Sequence, residues 1–403
     1  MQTRDYIALE DKRGAHNYSP LPVVVAEADG AWLTDVEGKR YLDFLSAYSA
    51  LNFGHRNERL LDVARQQLDS VTLTSRAVYN DQLGPFCEEL ADLVGLDRVL
   101  PMNTGAEAVE TAIKVSRAWG YRVKGVPHDK AKILVASDNF HGRTTTIISF
   151  SGDPSARADF GPYTPGFETV TYGDLDSLTQ ALSDPNVVAF LVEPIQGEAG
   201  VKVPPEGYLS AARKACADAN VLFIADEIQS GLGRAGTTLA IDHENITPDV
   251  LILGKALGGG IVPISAVVTR NDVLGVLHPG EHGSTFGGNP LALAVAREVV
   301  ALLSEGDIQQ RAVDLGAHML GRLRDETGDN VLEVRGRGLW AGIRMASDDP
   351  PAKVFCNAML ERGVIVKDTH VHTLRLAPPI TISREDLDLG LDTVISVLAE
   401  DTA

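Results

Sequence analysis

The sequence predicts an α/β fold: a large domain on a mainly parallel sheet flanked by helices, with a smaller α+β domain drawn from both ends of the chain. Three observations carry this. From about residue 50 onward, short apolar strand candidates alternate with helix-like stretches, the rhythm of βαβ units. After Pro290 the pattern changes to long helices followed by strand-like pieces. Residues 20–46 break instead into short apolar runs between Pro and Gly turns, as a small antiparallel sheet would.

The elements follow in chain order. Val23 to Val25, Ala31 to Leu33 and Tyr41 to Leu45 supply the first small sheet. Lys132 to Ala136, Val187 to Val192, Val221 to Ala225, Val250 to Leu253 and Ile264 to Val268 are apolar on both faces, which parallel strands buried between helices require. Leu291 to Ser304 and Ile308 to Asp325 carry helical periodicity, and Val331 to Val334, Leu339 to Met345 and Thr373 to Ala377 read as strands. The expected division is residues 1–50 as an N-terminal part of the small domain, 51–284 as the large domain, and 285–403 as the C-terminal small domain.

At 403 residues, with 44% apolar and 23% charged residues, the chain has the balance of a globular protein and excludes disorder and fibre. Acids outnumber bases by 55 to 36, and a net charge of −19 disfavours nucleic acid and anionic membrane as partners. Cys87, Cys216 and Cys356 are too scattered for a disulfide framework or a zinc cluster, so a reducing compartment is expected. Met1 to Arg13 has neither an apolar h-region nor a transit-peptide composition, and no apolar run is long enough to span a bilayer. A cytoplasmic location is expected.

Chemistry gathers at three strand ends, where Glu193, Asp226 and Lys255 follow apolar runs. Ligands of open parallel sheets bind at that edge, so these side chains should converge on one crevice. Thr104 and Glu107 form a capping box that starts a helix at Gly105, and Gly105 and Ala106 leave backbone N–H groups open to an anion. Gly254 to Gly260 is no Walker loop, because Lys255 lacks the following Ser or Thr. A lysine desolvated at a strand end becomes nucleophilic toward a carbonyl. With an acid for a pyridinium nitrogen (Asp226) and a helix end for a phosphate, it meets the requirements of a pyridoxal phosphate site. Taken singly, Lys255 reads rather as a snorkelling surface lysine; its company decides otherwise.

The blocks Leu191-Val-Glu193-Pro-Ile-Gln-Gly-Glu198-Ala-Gly, Asp226-Glu-Ile-Gln229-Ser-Gly and Leu253-Gly-Lys255-Ala-Leu resemble the signatures of class III pyridoxal-phosphate aminotransferases, of fold type I. Gly14-Ala-His-Asn-Tyr18, Phe44-Leu-Ser-Ala-Tyr48, Asn139-Phe-His-Gly-Arg143 and Gly280-Glu-His-Gly-Ser-Thr285 narrow it to the ornithine-using members. The resemblance implies transfer of ornithine's δ-amino group to 2-oxoglutarate, giving glutamate 5-semialdehyde and L-glutamate. It makes Lys255 the lysine that holds pyridoxal 5′-phosphate covalently, Asp226 the pyridinium partner, Gln229 a contact to the phenolic oxygen and Phe140 the stacking ring. Gly105 and Ala106 would hold the phosphate, with Thr285 reaching the neighbouring subunit's cofactor in a homodimer. Arg143 and Arg375 match the carboxylate-binding arginines, Glu198 the acid paired with Arg375, and Tyr18 and Tyr48 the ornithine-contacting tyrosines.

Without the resemblance, both arginines read as surface residues and both tyrosines as half-buried aromatics. His141 falls where relatives carry Trp or His and receives no role. His370 and His372 would share one face of a strand, but no third ligand accompanies them and no metal is expected. Family members acting on acetylornithine or 4-aminobutyrate are the alternative, against which Tyr18 and Tyr48 argue; a catalytically silent binding protein is the second.

Overall fold

The computed structural model describes residues 1–400. The N-terminal strands β1 (Val25–Asp29), β2 (Trp32–Asp35) and β3 (Arg40–Asp43) pair antiparallel. The central strands are β4 (Arg98–Met102), β5 (Lys132–Ala136), β6 (Phe167–Val170), β7 (Val187–Val192), β8 (Leu222–Asp226), β9 (Val250–Leu253) and β10 (Ser265–Thr269). They form a seven-stranded sheet in the order β4-β10-β9-β8-β7-β5-β6. From β9 to β6 the strands are parallel, while β10 runs antiparallel to both β9 and β4.

Alternate residues along the central strands fill two separate cores. Ile133, Val135, Val188, Leu191, Ile224 and Ile252 face Ala108, Val109, Ala112 and Ile113 of the Gly105–Trp119 helix. Leu134, Phe190, Val192, Phe223 and Leu253 belong to the core that also takes in the Pro290–Ser304 helix. Each large apolar side chain withdrawn from water contributes about 1.5–3 kcal/mol, which makes this sheet a rigid platform for its carboxyl edge.

The chain ends with β11 (Val331–Gly336), β12 (Ala341–Met345), β13 (Val364–Ile365), β14 (Lys367–Thr369) and β15 (Thr373–Leu376). β11-β12-β15-β14 is an antiparallel sheet, whereas β13 adds in parallel to β3, so the N-terminal sheet takes its last strand from the C-terminal part of the chain.

Three of the expected central strands are observed at their expected limits. Val221 and Ile264 instead precede β8 and β10, and Leu339 and Trp340 precede β12. The strand expected to carry His370 and His372 is a turn: Thr369 pairs with Thr373, so residues 370–372 reverse the chain, and His370 takes φ +54°. Among the described residues no helix is long and apolar enough to cross a membrane.

Candidate active site

The three strand-end residues converge. Asp226 closes β8 and is 4% exposed; it accepts from His141 Nδ1 at 2.6 Å and from the Ile228 N–H at 3.1 Å. An ionised carboxylate can only accept, which assigns the Nδ1 proton to the imidazole. Burial pulls the His141 pKa down, but the Asp226 hydrogen bond and charge outweigh it and leave the pKa above the ordinary histidine value. Glu193, buried at the end of β7, accepts the Phe140 N–H at 2.8 Å; burial pushes its carboxyl up to about 7. Lys255 follows β9 and Gly254 with φ +43°, a left-handed conformation that costs a non-glycine residue about 1–3 kcal/mol. Desolvation lowers its ammonium to about 8, with Glu198, Arg375, Asp226 and Glu193 the charges acting on it.

The Gly105–Trp119 helix points its N-terminus at the same crevice. Thr104 Oγ1 accepts the Glu107 N–H, the Glu107 carboxylate accepts the Thr104 N–H, and the Thr104 carbonyl accepts the Ala108 N–H. The Gly105 and Ala106 N–H groups are left over, as the first donors of a helix are. A cavity of about 380 Å³ is lined by Asn103, Thr104, Gly105 and Lys255 together with Ala47, Leu51 and Pro263. Gly142 crosses this end closely: a Cβ on it would lie 3.2 Å from that of Ala106.

A second cavity, of about 460 Å³, is lined by Tyr48, Phe140, Arg143, Glu198 and Arg375. All four β15 residues are buried, and Arg375, which without the resemblance reads as a surface residue, is 2% exposed. Its Nη1 donates to Glu198 Oε1 at 2.7 Å, and its guanidinium lies 5.2 Å from the Tyr48 ring centroid. Burial would raise the Glu198 carboxyl, but Arg375 and Lys255 overcome this and hold it below the usual range. Tyr48 sits in a left-handed turn, Ser46 to Ser49, with φ between 46° and 70° at every residue. Gln229 Nε2 donates to the Tyr48 carbonyl at 3.5 Å. Arg143 is exposed at the cavity wall, its guanidinium 5.7 Å from the Phe140 ring centroid.

Lys255, Phe140, Tyr48, Arg143, Glu198, Arg375 and Gly105 thus line the two cavities, with Asp226 bonded to His141, Gln229 to Tyr48, and Ala106 against Gly142 just behind the lining. Tyr18 does not join them: it is 78% exposed and outside both linings. Thr285, expected at the neighbouring subunit's cofactor rather than at these cavities, is exposed on a segment pinned by the hydrogen bond from Asn103 Nδ2 to Ser284 Oγ. Sequence reasoning missed His141, 3% exposed and bonded to Asp226. Its signal was positional: it lies in the loop after β5, at the sheet edge where the other strand ends emerge.

Leftover helix-end N–H groups suit a phosphate, a buried carboxylate with an imidazole behind it suits a protonated ring nitrogen, and a desolvated amine suits an aldehyde. On this sheet, that donor set defines a pyridoxal-phosphate-dependent enzyme. Residues 13–398 match the family model of class III aminotransferases, and the chain belongs to that family. It is 50% identical to an ornithine aminotransferase of Brevibacillus brevis over 397 residues, covering 98% of each chain. A relative of the same name from Exiguobacterium is 51% identical, over 99% of this chain and 98% of that one. Among solved structures, the ornithine aminotransferase of Toxoplasma gondii superposes with a TM-score of 0.97 at 44% identity, covering 99% of this chain and 95% of that one. An acetylornithine aminotransferase of Elizabethkingia anophelis superposes with a TM-score of 0.90 at 47% identity, over 98% of each chain.

Proposed function

We propose that this protein transfers the δ-amino group of L-ornithine to 2-oxoglutarate, yielding L-glutamate 5-semialdehyde, which cyclises, and L-glutamate. The observation that carries the substrate choice is the closed Glu198–Arg375 pair, 2.7 Å long, in the cavity wall. Ornithine's reacting δ-carbon bears no carboxylate, so an arginine beside it is best neutralised. Glutamate and 2-oxoglutarate carry a carboxylate next to the reacting carbon and need that arginine released. Partly buried ion pairs roughly break even between desolvation and attraction, so opening this one costs little.

Pyridoxal 5′-phosphate, when bound, supplies an aldehyde for the amino group and a protonated ring that withdraws electrons from the reacting carbon. Lys255 would hold the cofactor covalently and, as a desolvated amine lowered to about 8, would be suited to take the proton from the substrate carbon and to return it. Asp226, oriented by His141, keeps the ring nitrogen protonated. Gly105 and Ala106 would hold the phosphate, and Phe140 and Gln229 would hold the ring. Arg143 would take the distal carboxylate of either substrate, and Tyr48, in the wall of the same cavity, would contact ornithine.

The same reading has Thr285 completing the neighbouring subunit's phosphate site in a cytoplasmic homodimer, and residues 51–284 forming the large domain between small-domain segments 1–50 and 285–403. Acetylornithine is the second candidate donor, on the strength of the Elizabethkingia structure. Presenting ornithine, acetylornithine, 4-aminobutyrate and lysine to the holoenzyme tests the reading. Ornithine should be the preferred donor; faster turnover of acetylornithine would replace it.

A further inference from the structure

Outside the catalytic cavities, one concave surface reverses the charge of the molecule. A cavity of about 490 Å³ is lined by Lys202, Arg324, Arg335 and Arg337 with Glu333 as its only acid, floored by Val203, Pro204 and Pro205 and walled by Tyr172. In a chain of net charge −19 such a concentration of cations is a local exception. Arg335 is engaged by Glu333 at 2.8 Å and Lys202 by Asp138 at 2.8 Å, whereas Arg324 and Arg337 have no ion-pair partner among the described residues. Arg324 reaches only the Val334 carbonyl, at 3.4 Å.

The cavity is wired to the Glu198 switch. Gln196 and Lys202 exchange backbone hydrogen bonds of 3.0 and 2.9 Å, closing a hairpin that carries Glu198 between them. Arg335 Nε donates to the Gly200 carbonyl at 2.6 Å and Nη2 to that of Ala199 at 3.5 Å, immediately after Glu198. Thr369 holds the Glu198 carbonyl from the other side. Lys202, at the base of the hairpin, also ties it to Asp138, two residues before Phe140. Gly200, at φ +93°, cannot take a side chain there: a Cβ would meet Arg335 Nη2 at 2.6 Å.

We propose that this basic cavity binds a small oxyanion of two or more charges, a phosphate group or a dicarboxylate, and that the bound anion biases the Glu198–Arg375 pair toward opening. Guanidinium forks match both oxyanions bidentately. An anion seated between Arg324 and Arg337 draws Arg335 and Lys202 toward itself, away from the Ala199 and Gly200 carbonyls and from Asp138. The hairpin loosens and Glu198 leaves Arg375 more readily, which favours the glutamate half-reaction. The coupling rests on the proposed role of Glu198; the binding does not.

Calorimetric titration of the holoenzyme with inorganic phosphate, and separately with glutarate, tests this in the wild type, in R324A/R337A and in R143A. The expected result is saturable binding that survives R143A and weakens about tenfold or more in R324A/R337A, with both proteins melting alike. Whichever probe behaves so identifies the oxyanion class. Saturating anion should raise the glutamate-to-ornithine ratio of half-reaction rates in the wild type and leave it unmoved in R324A/R337A. Absence of saturable binding, equal binding in R324A/R337A, or loss of binding in R143A alone would overturn the site. Binding that leaves the ratio unmoved would overturn the link to Glu198. Failure of ornithine as a donor would instead show in the donor comparison, leaving the phosphate titration readable.

Discussion

Replacing Glu198 by Gln keeps its shape and removes the charge 2.7 Å from Arg375. At a charge separation of about 4 Å and an effective dielectric of about 20, the lost attraction is about 4 kcal/mol. Removing one partner of a buried pair leaves the other uncompensated, at about 3–5 kcal/mol, and Arg375 is 2% exposed. Glutamate and 2-oxoglutarate restore a carboxylate at that place, whereas ornithine does not. The Tyr48 ring 5.2 Å away and water reaching the 30% exposed Glu198 position recover part of the cost. Half of that cost, about 1.5–2.5 kcal/mol, should remain as a difference between substrates, a factor of about 10–70 in favour of glutamate. Stopped-flow absorbance of the cofactor, with each amino acid mixed separately, reads the two half-reactions. A glutamate-to-ornithine ratio within about threefold of wild type would refute the switch and leave Glu198 a structural residue.

Borohydride reduction of the holoenzyme followed by peptide mapping should label Lys255 alone, and label elsewhere would displace it from its role. Desolvation lowers Lys255 to about 8 in the folded chain against the ordinary lysine value of 10.5, so between these pH values the unfolded state binds up to one more proton. The apoprotein should therefore gain stability relative to Lys255→Met as pH rises from 8 to 10.5 in denaturant melts; a flat difference would mean that the amine is not desolvated. Tyr48→Ile removes the ring over Arg375 and should lower ornithine use relative to 4-aminobutyrate; an unchanged preference in steady-state assays would count against it. Thr285→Ala should weaken cofactor retention on gel filtration, and dilution to monomers should release cofactor; a fully active monomer contradicts the shared site.

Much of the architecture was legible because buried parallel strands must be apolar on both faces. β5, β7 and β9 announce themselves in this way, and Glu193, Asp226 and Lys255, at the ends of the apolar runs of β7, β8 and β9, mark the sheet edge where ligands bind. The capping box at Thr104 and Glu107 located a helix start to the residue, because its partners are three positions apart in sequence. The ends of the short strands were less legible: β8 and β10 each begin one residue late, and the two histidines before β15 fall in a turn rather than a strand, because antiparallel pairing of Thr369 with Thr373 decides where the chain reverses.

By itself the sequence determined the chemistry available: an amine, a carboxylate and a helix end placed by local rules of burial and capping. Only the tertiary structure decided which distant residues share those groups. Glu198 and Arg375 lie 177 positions apart and meet at 2.7 Å because β15 packs its buried face against the hairpin carrying Glu198. His141 and Asp226, separated by 85 positions, form the second such pair because their loops leave the same edge of one sheet. Local sequence encodes φ, ψ and periodicity within a few residues, whereas a buried charge is satisfied by whatever partner the packed sheet brings within hydrogen-bond reach.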